Sequence, residues 1–493
     1  MFGTENSLLG KLKAYGESDY YPFHMPGHKR RSIVEFPDPY EIDITEIDGF
    51  DNLHHAEGIL KESMEQAAKI YNADRTYYLV NGSTCGILSA ICGCTRPGDG
   101  ILMARNCHKA AFHGMILQSL KPYYLYPEYL KDFGINGGIL AEDVEKALKE
   151  HTDIKAVMIV SPTFEGVVSD VGAIADVAHK YGVPLIVDEA HGAHFPFAAG
   201  NFPKSAVICG ADIIIQSLHK TLPSFTQTAI LHVNDGVVDP MKVERYLGMF
   251  QSSSPSYIFM AAMEQCVSYM DQVGREEMKH YEARLNAFYD RLNALKILNV
   301  LGKNMIKKAS VYDWDMSKVV VLTRKSGLGG NVLSNMLRKK YHLEMEMSGP
   351  EYVVGMTSLM DTEEGLNRLA DALLELDDGL ERIRDRTETD QTEQEKICRS
   401  SKSLLAEIPK AISVMTLADA MHADGWKVNL CESEGRISQE FLYLYPPGIP
   451  ILAPGEQITS AILDRVTWYR EQGLSVQGLA DPMVSSIITV AEE

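Results

Sequence analysis

Seven short, almost wholly apolar runs recur between residues 65 and 235, separated by stretches whose apolar residues fall at helical spacing, and this rhythm constrains the fold more than any other feature of the chain. The runs are 77–80, 101–104, 123–126, 156–160, 185–187, 212–215 and 229–232, most of them bounded by Gly, Pro, Asn or Asp. Runs of that length with such punctuation read as buried strands. Between them, 142–150 and 173–181 have helical periodicity, and the second closes on Gly182-Val-Pro184 immediately before the strand LIVDEA. The alternation predicts an α/β fold: one seven-stranded, mostly parallel sheet with helices on both faces. Ligands of such sheets collect at the carboxyl ends of the strands.

Past residue 270 the pattern changes. A helix over 276–295, a strand over 319–322, a helix near 333–341, a strand near Tyr352 and a helix over 363–380 predict a smaller α/β domain. The stretch 384–396, RDRTETDQTEQEK, is almost free of apolar side chains and reads as a linker or as the exposed face of a continuing helix, with a C-terminal module beyond it. The expected division is 1–60 as an N-terminal segment contributing to the active site, 61–270 as the large domain, 271–385 as the small domain and 397–493 as the C-terminal module.

Lys+Arg 47 against Asp+Glu 67 gives a formal charge of -20, which opposes contact with nucleic acid or anionic lipid and favours a small cationic ligand, although solubility alone explains such a charge equally well. The eight cysteines form no pair of CxxC clusters and read as reduced core residues, so no metal site is expected. The first residues lack an apolar signal stretch and no run of 18 apolar residues occurs, which predicts a cytoplasmic protein without a membrane span.

Three strand ends carry the chemistry. In Asp212-Ile-Ile-Ile-Gln-Ser-Leu-His-Lys-Thr221 a buried-looking strand runs into Ser217, His219 and Lys220. A lysine at a strand's carboxyl end is partly desolvated, which lowers its pKa and frees its lone pair for Schiff-base chemistry with an aldehyde; the plain alternative is a lysine snorkelling to solvent. In Leu185-Ile-Val-Asp-Glu-Ala-His191 the strand ends in Asp188, an acid that could hold the pyridine nitrogen of pyridoxal 5'-phosphate (PLP) protonated, or equally bind a metal or nucleotide. In Val80-Asn-Gly-Ser-Thr-Cys-Gly86 a turn opens a helix, and its N–H groups with the Ser83 and Thr84 hydroxyls form a candidate phosphate cradle, though ordinary capping uses the same residues. His108, after another strand, could stack on a cofactor ring or simply sit at the surface. His191 is a candidate partner for the cofactor's phenolate oxygen, with Thr163 nearby.

With these motifs in hand, the sequence resembles the Orn/Lys/Arg decarboxylases of the aspartate-aminotransferase fold, PLP fold type I. The likeness runs from Pro22-Phe-His-Met-Pro-Gly-His-Lys29 and Thr45-Glu-Ile-Asp-Gly-Phe-Asp-Asn-Leu-His54 through VNGSTCG, RNCHKA, SPTFEGVVSD, VDEAHGAHF and SLHKT to Glu434-Gly-Arg-Ile-Ser438 and Tyr445-Pro-Pro-Gly-Ile-Pro450. The resemblance implies Lys220 as the Schiff-base lysine, Asp188 on the ring nitrogen, His108 stacked on the ring, and Ser83, Thr84, Ser217 and His219 around the phosphate. It implies an active site at the interface of a homodimer or larger homo-oligomer. Longer family members carry a receiver-like domain before the region that here begins at Pro22, so the likeness is to the shorter form of Gram-positive bacteria. The implied activity is decarboxylation of a basic L-amino acid, arginine first, then lysine, then ornithine, in polyamine biosynthesis. Glu432, Glu434, Asp48 and Asp51 are candidates for binding the substrate's cationic side chain, each with the alternative of a solvated surface acid. Another fold type I reaction, such as transamination or aldol cleavage, and a catalytically silent PLP-binding regulator are the competing readings.

Overall fold

In a computed structural model the chain is described over residues 7–198, 200–308, 310–387, 407–445 and 448–491. All seven anticipated strands form and share one sheet: β1 (Arg75–Leu79), β2 (Gly100–Ala104), β3 (Lys121–Leu125), β4 (Ile154–Val160), β5 (Leu185–Asp188), β6 (Ile213–Gln216) and β7 (Ala229–Val233). Their order across the sheet is β1-β7-β6-β5-β4-β2-β3. Only β7 runs antiparallel, pairing that way with both β6 and β1. Every residue of β2, β5, β6 and β7 is buried, because helices cover both faces; this is why these strands are written in unbroken apolar residues rather than alternating ones. The covering helices include Gly82–Cys94, Lys109–Leu117, Ala141–Glu150 and Val171–Lys180.

The small domain is a four-stranded antiparallel sheet of Asn299–Leu301, Lys318–Leu322, Tyr352–Met356 and Met347–Ser348, backed by the helices Arg275–Leu292, Gly330–Tyr341 and Glu363–Thr387. The last helix runs beyond the expected end at residue 380, so 384–387 are helical; the rest of the 384–396 stretch lies outside the described residues. The N-terminal segment belongs structurally to this domain. Its strand Tyr21–Phe23 pairs in parallel with Leu343–Met345, and the buried Lys29 Nζ donates to the carbonyls of Pro22, His24 and Met356. Gly27 then passes against the chain just beyond Lys220, its N–H bonded to the His219 carbonyl, where a Cβ would stand 2.7 Å from the Leu222 carbonyl oxygen.

The C-terminal residues build a separate apolar cluster around Leu442, Leu452, Ile462, Trp468 and Ile487. This module is fastened to the large domain by Arg105, fully buried just after β2. Its guanidinium donates to the Pro450 and Ile451 carbonyls and to Glu456, with Nη2 3.1 Å from Glu456 Oε2.

Candidate active site

Parallel neighbours bring their carboxyl ends together, and β5 and β6 are neighbours in register, Ile215 opposite Asp188. The chain leaves β6 through Ser217 into a single helical turn, Leu218–Thr221, that carries Lys220 back over the sheet edge. Lys220 Nζ stands 3.0 Å from His191 Nε2. Burial holds the lysine below its usual pKa while the negative charge of Asp188, and then that of Glu346, works the other way. Asp188 is itself buried, which raises its pKa against the pull of Lys220; its Oδ1 accepts the Ala190 N–H at 3.1 Å.

A cavity of about 380 Å³ opens around this pair. All nine residues expected at a cofactor line it: Ser83, Thr84, His108, Thr163, Asp188, His191, Ser217, His219 and Lys220. Ser83 and Ser217 hydroxyls meet at 2.6 Å, at the start of helix Gly82–Cys94, whose N-cap residue Asn81 makes no side-chain capping bond. Gly82 has φ +72°, a conformation that suits glycine and turns the helix start toward the site. His108 caps the helix Lys109–Leu117, its Nδ1 accepting the Ala110 N–H, and burial followed by the charge of Lys220 pushes its pKa down to about 4. His219 donates from Nδ1 to the Thr228 carbonyl at 2.9 Å, so the neutral ring presents Nε2 as an acceptor; a phosphate beside it would have to bring the second proton. The Thr163 hydroxyl accepts the Val167 N–H at 3.2 Å and fixes the turn below the cavity.

These residues fit PLP on the structure's own terms. His191 is buried and kept neutral, and its Nδ1 has no partner among the described residues; the Asn106 and Asn136 side-chain oxygens are likewise buried and unpartnered among them. Unsatisfied buried polar atoms cost about 1–3 kcal/mol each and mark a place where a polar ligand completes the structure. A lysine amine, a carboxylate at the next strand end and a hydroxyl-rich helix start form the donor set that an aldehyde, a pyridine nitrogen and a phosphate require.

The four acids expected to recognise the substrate do not line this cavity. Asp48, Glu432 and Glu434 are exposed. Asp51 has φ +65° and is spent on structure: its carboxylate accepts the N–H groups of Asn52, Glu57, Gly58 and Leu60, which overcome the opposing effect of burial and hold its pKa down at about 2. Two other acids face the cavity instead, Glu165 and Glu346, together with Met25 from the N-terminal segment and Tyr445 and Ile449 from the C-terminal module. Sequence reasoning passed over both. Glu165 stands inside the quoted SPTFEG motif, a signal within reach, whereas Glu346 lies past a three-residue strand of the small domain and carries no local mark.

Comparison with known proteins agrees with this architecture. The family described as Orn/Lys/Arg decarboxylase, major domain, matches residues 7–320, and the Orn/Lys/Arg decarboxylase C-terminal domain matches 402–480. The chain is 32% identical to an arginine decarboxylase of Bacillus subtilis over 99% of its own length and 98% of the relative's. It is 24% identical to the inducible lysine decarboxylase of Escherichia coli, covering 92% of this chain and 75% of that one. A lysine decarboxylase structure from Francisella novicida shares the fold with a TM-score of 0.76 at 20% identity, over 98% of this chain and 80% of that one.

Proposed function

The chain belongs to the Orn/Lys/Arg decarboxylase family of PLP-dependent amino-acid decarboxylases, and from that premise we propose that it converts arginine to agmatine for polyamine synthesis at the cavity around Lys220, with PLP held by the nine residues named above. The observation that carries the reading is that a half-buried lysine just past one strand and a buried carboxylate ending its parallel neighbour come to the same carboxyl edge and line one cavity. The greater likeness to arginine decarboxylases supports arginine ahead of lysine and ornithine.

Bound there, PLP supplies an electron-poor ring that accepts the electron pair released when the bond from Cα to the carboxylate breaks. The chain's own residues do the rest. Asp188 is the acid available to keep a proton on the ring nitrogen. Ser83, Thr84 and Ser217 offer hydroxyls, and the start of helix Gly82–Cys94 offers N–H groups, to the phosphate. His191, neutral because it is buried, aims the Lys220 amine rather than taking its proton. Lys220 Nζ is then the group in reach to return a proton to Cα. Phe164, Ile449 and Tyr445 close apolar surface over the cavity and limit the water that competes for that proton.

The helix Leu8–Glu17 supports a homodimer: it buries none of its residues, and Leu8 and Leu9 are 76% and 74% exposed. Seven unpaired cysteines among the described residues fit the reducing cytoplasm, and no helix among those residues is long and apolar enough to cross a membrane. Two measurements test the reading. Borohydride reduction of the PLP-loaded protein followed by peptide mapping should fix the cofactor on Lys220, and a Lys220→Ala variant should fix none. Turnover of arginine, lysine and ornithine side by side should yield carbon dioxide and an amine, fastest with arginine; a keto acid product, or an adduct on a different lysine, refutes the proposal.

A further inference from the structure

Glu165 is an acid of the cavity with no task in the steps above. It is 7% exposed, and one carboxylate oxygen accepts the Tyr352 hydroxyl at 2.9 Å. Other buried acids of the chain have a built-in answer to their charge. Asp315 has Lys318 at 2.9 Å, Glu456 has Arg105 at 3.1 Å, and Asp377 accepts the N–H groups of Lys296, Ile297 and Leu298. Around Glu165 burial outweighs the Tyr352 and Thr163 hydroxyls and its own backbone and raises its pKa, and among the described residues no cation is named among the groups that act on it. A carboxylate buried without a countercharge is expensive unless something delivers one.

Asn136 lies on the same wall of the cavity, and its buried side-chain oxygen has no partner. Glu165 and Asn136 also line a smaller recess of about 80 Å³ that continues behind the cavity beside Ile449. Arg465, on the recess's far side, is bonded to the Glu407 carbonyl and the Tyr469 hydroxyl. Neither Lys220 nor Asp188 lines this recess, so Glu165 and Asn136 reach into a part of the space that the lysine and its neighbouring carboxylate do not.

We propose that Glu165 and Asn136 form the subsite for the distal cationic group of the substrate, the carboxylate as countercharge and the amide oxygen as a further acceptor, with Phe164 and Ile449 flanking the methylene stem. A guanidinium, with five donors in a planar fork, can satisfy both residues at once where an ammonium serves them less completely. The inference rests on the decarboxylase reading and places the recognition at residues that line the cavity, which Asp48, Asp51, Glu432 and Glu434 do not.

The test uses the PLP-loaded enzyme, Glu165→Gln and Asn136→Leu, with kinetics on arginine and calorimetric binding of agmatine and of its neutral urea analogue. Glu165→Gln should lower kcat/KM for arginine about 100-fold, mainly through KM, and weaken agmatine by a similar factor, as removal of a desolvated charge partner does. The urea analogue should bind within about 3-fold of wild type, because it brings no charge to be countered. Asn136→Leu should cost agmatine about 10-fold, the scale of one buried hydrogen bond left unmade. Unchanged agmatine affinity in Glu165→Gln, or an equal loss for agmatine and the urea analogue, overturns the subsite while leaving the decarboxylase intact. If Glu165→Gln does not fold, Asn136→Leu decides on agmatine, and an unchanged affinity there overturns the subsite. Wild-type protein that releases carbon dioxide from no basic amino acid overturns the parent reading as well.

Discussion

Replacing Arg105 by methionine keeps most of the side-chain volume and removes the charge that fastens the C-terminal module to the edge of the central sheet. Arg105 is 0% and Glu456 1% exposed, so the variant leaves a carboxylate in the interior with the Ala453 N–H, at 2.8 Å, as its remaining donor. It also frees the Pro450 and Ile451 carbonyls and strips the cation from the Phe112 and Tyr124 rings, each 5.2 Å from the guanidinium carbon. Breaking a buried pair from one side costs about 3–5 kcal/mol. The double variant Arg105→Met/Glu456→Gln removes both charges, so its loss should fall short of the sum of the two single losses by at least about 2 kcal/mol. A protein of several domains need not unfold in one step, so the fitting assay is native-state hydrogen exchange read on the strands Leu442–Leu444 and Ile449–Leu452. Exchange there should quicken roughly 10²- to 10³-fold in Arg105→Met, at tenfold per about 1.4 kcal/mol, and recover in part in the double variant. Turnover should fall with it, since Tyr445 and Ile449 wall the cavity and the Lys109 N–H is bonded to Gly448. Unchanged exchange, or strictly additive losses, would show that the pair does not join the two units.

His232 is fully buried, held between the Thr76 hydroxyl and the Gln216 side chain, and burial pushes its pKa down to about 3. Below pH 6.5 the unfolded chain binds a proton at this ring that the folded chain refuses, so its contribution is lost on acidification. Wild type should lose stability relative to His232→Gln by about 1.4 kcal/mol per pH unit between pH 6 and pH 4. Taking the difference removes groups of opposite sign such as Glu189, raised by burial to about 7; urea midpoints of the two proteins that move in parallel with pH would refute the assignment. Lys29→Met removes the donor to three carbonyls and leaves buried Asp361 without the ammonium 4.0 Å away. It should lower thermal stability by about 3 kcal/mol or more and slow turnover by loosening Gly27 from the Lys220 turn, and full activity at an unchanged midpoint would argue against that coupling.

The large sheet was legible because its inner strands are covered on both faces and therefore written in largely unbroken apolar residues, and the polar residue that ends such a run is placed at the carboxyl edge by the run itself. Asp188 and the Ser217-to-Lys220 turn were placed at that edge in this way. Strand direction was not readable: Ala229–Val233 is as apolar as its parallel neighbours, and its reversal follows from how the chain returns after Lys220, which no side-chain period records. The pairing of Tyr21–Phe23 with Leu343–Met345 was out of reach for a related reason. Three residues carry too little period to identify a strand, and the partner lies more than three hundred positions away.

The acids divide along the same line. Asp188 ends a strand, and its local context states its place. Asp51 looked like a free acid in an exposed, motif-rich segment, yet a backbone at φ +65° folds a set of backbone N–H groups onto it, and only the three-dimensional turn reveals that it is already satisfied. Glu165 is the converse. What sets it apart is a buried carboxylate that faces the cavity beside an unpartnered amide oxygen, with no cation named among the groups that act on it, a property of residues brought together from 136, 163, 165 and 352. A role that depends on where a strand stops can be read along the chain, whereas one that depends on an uncompensated charge requires knowing every neighbour. For that reason the positions of Lys220 and Asp188 were accessible to sequence reasoning, and the subsite proposed for the substrate's distal group became visible only as unfinished electrostatics inside the folded cavity.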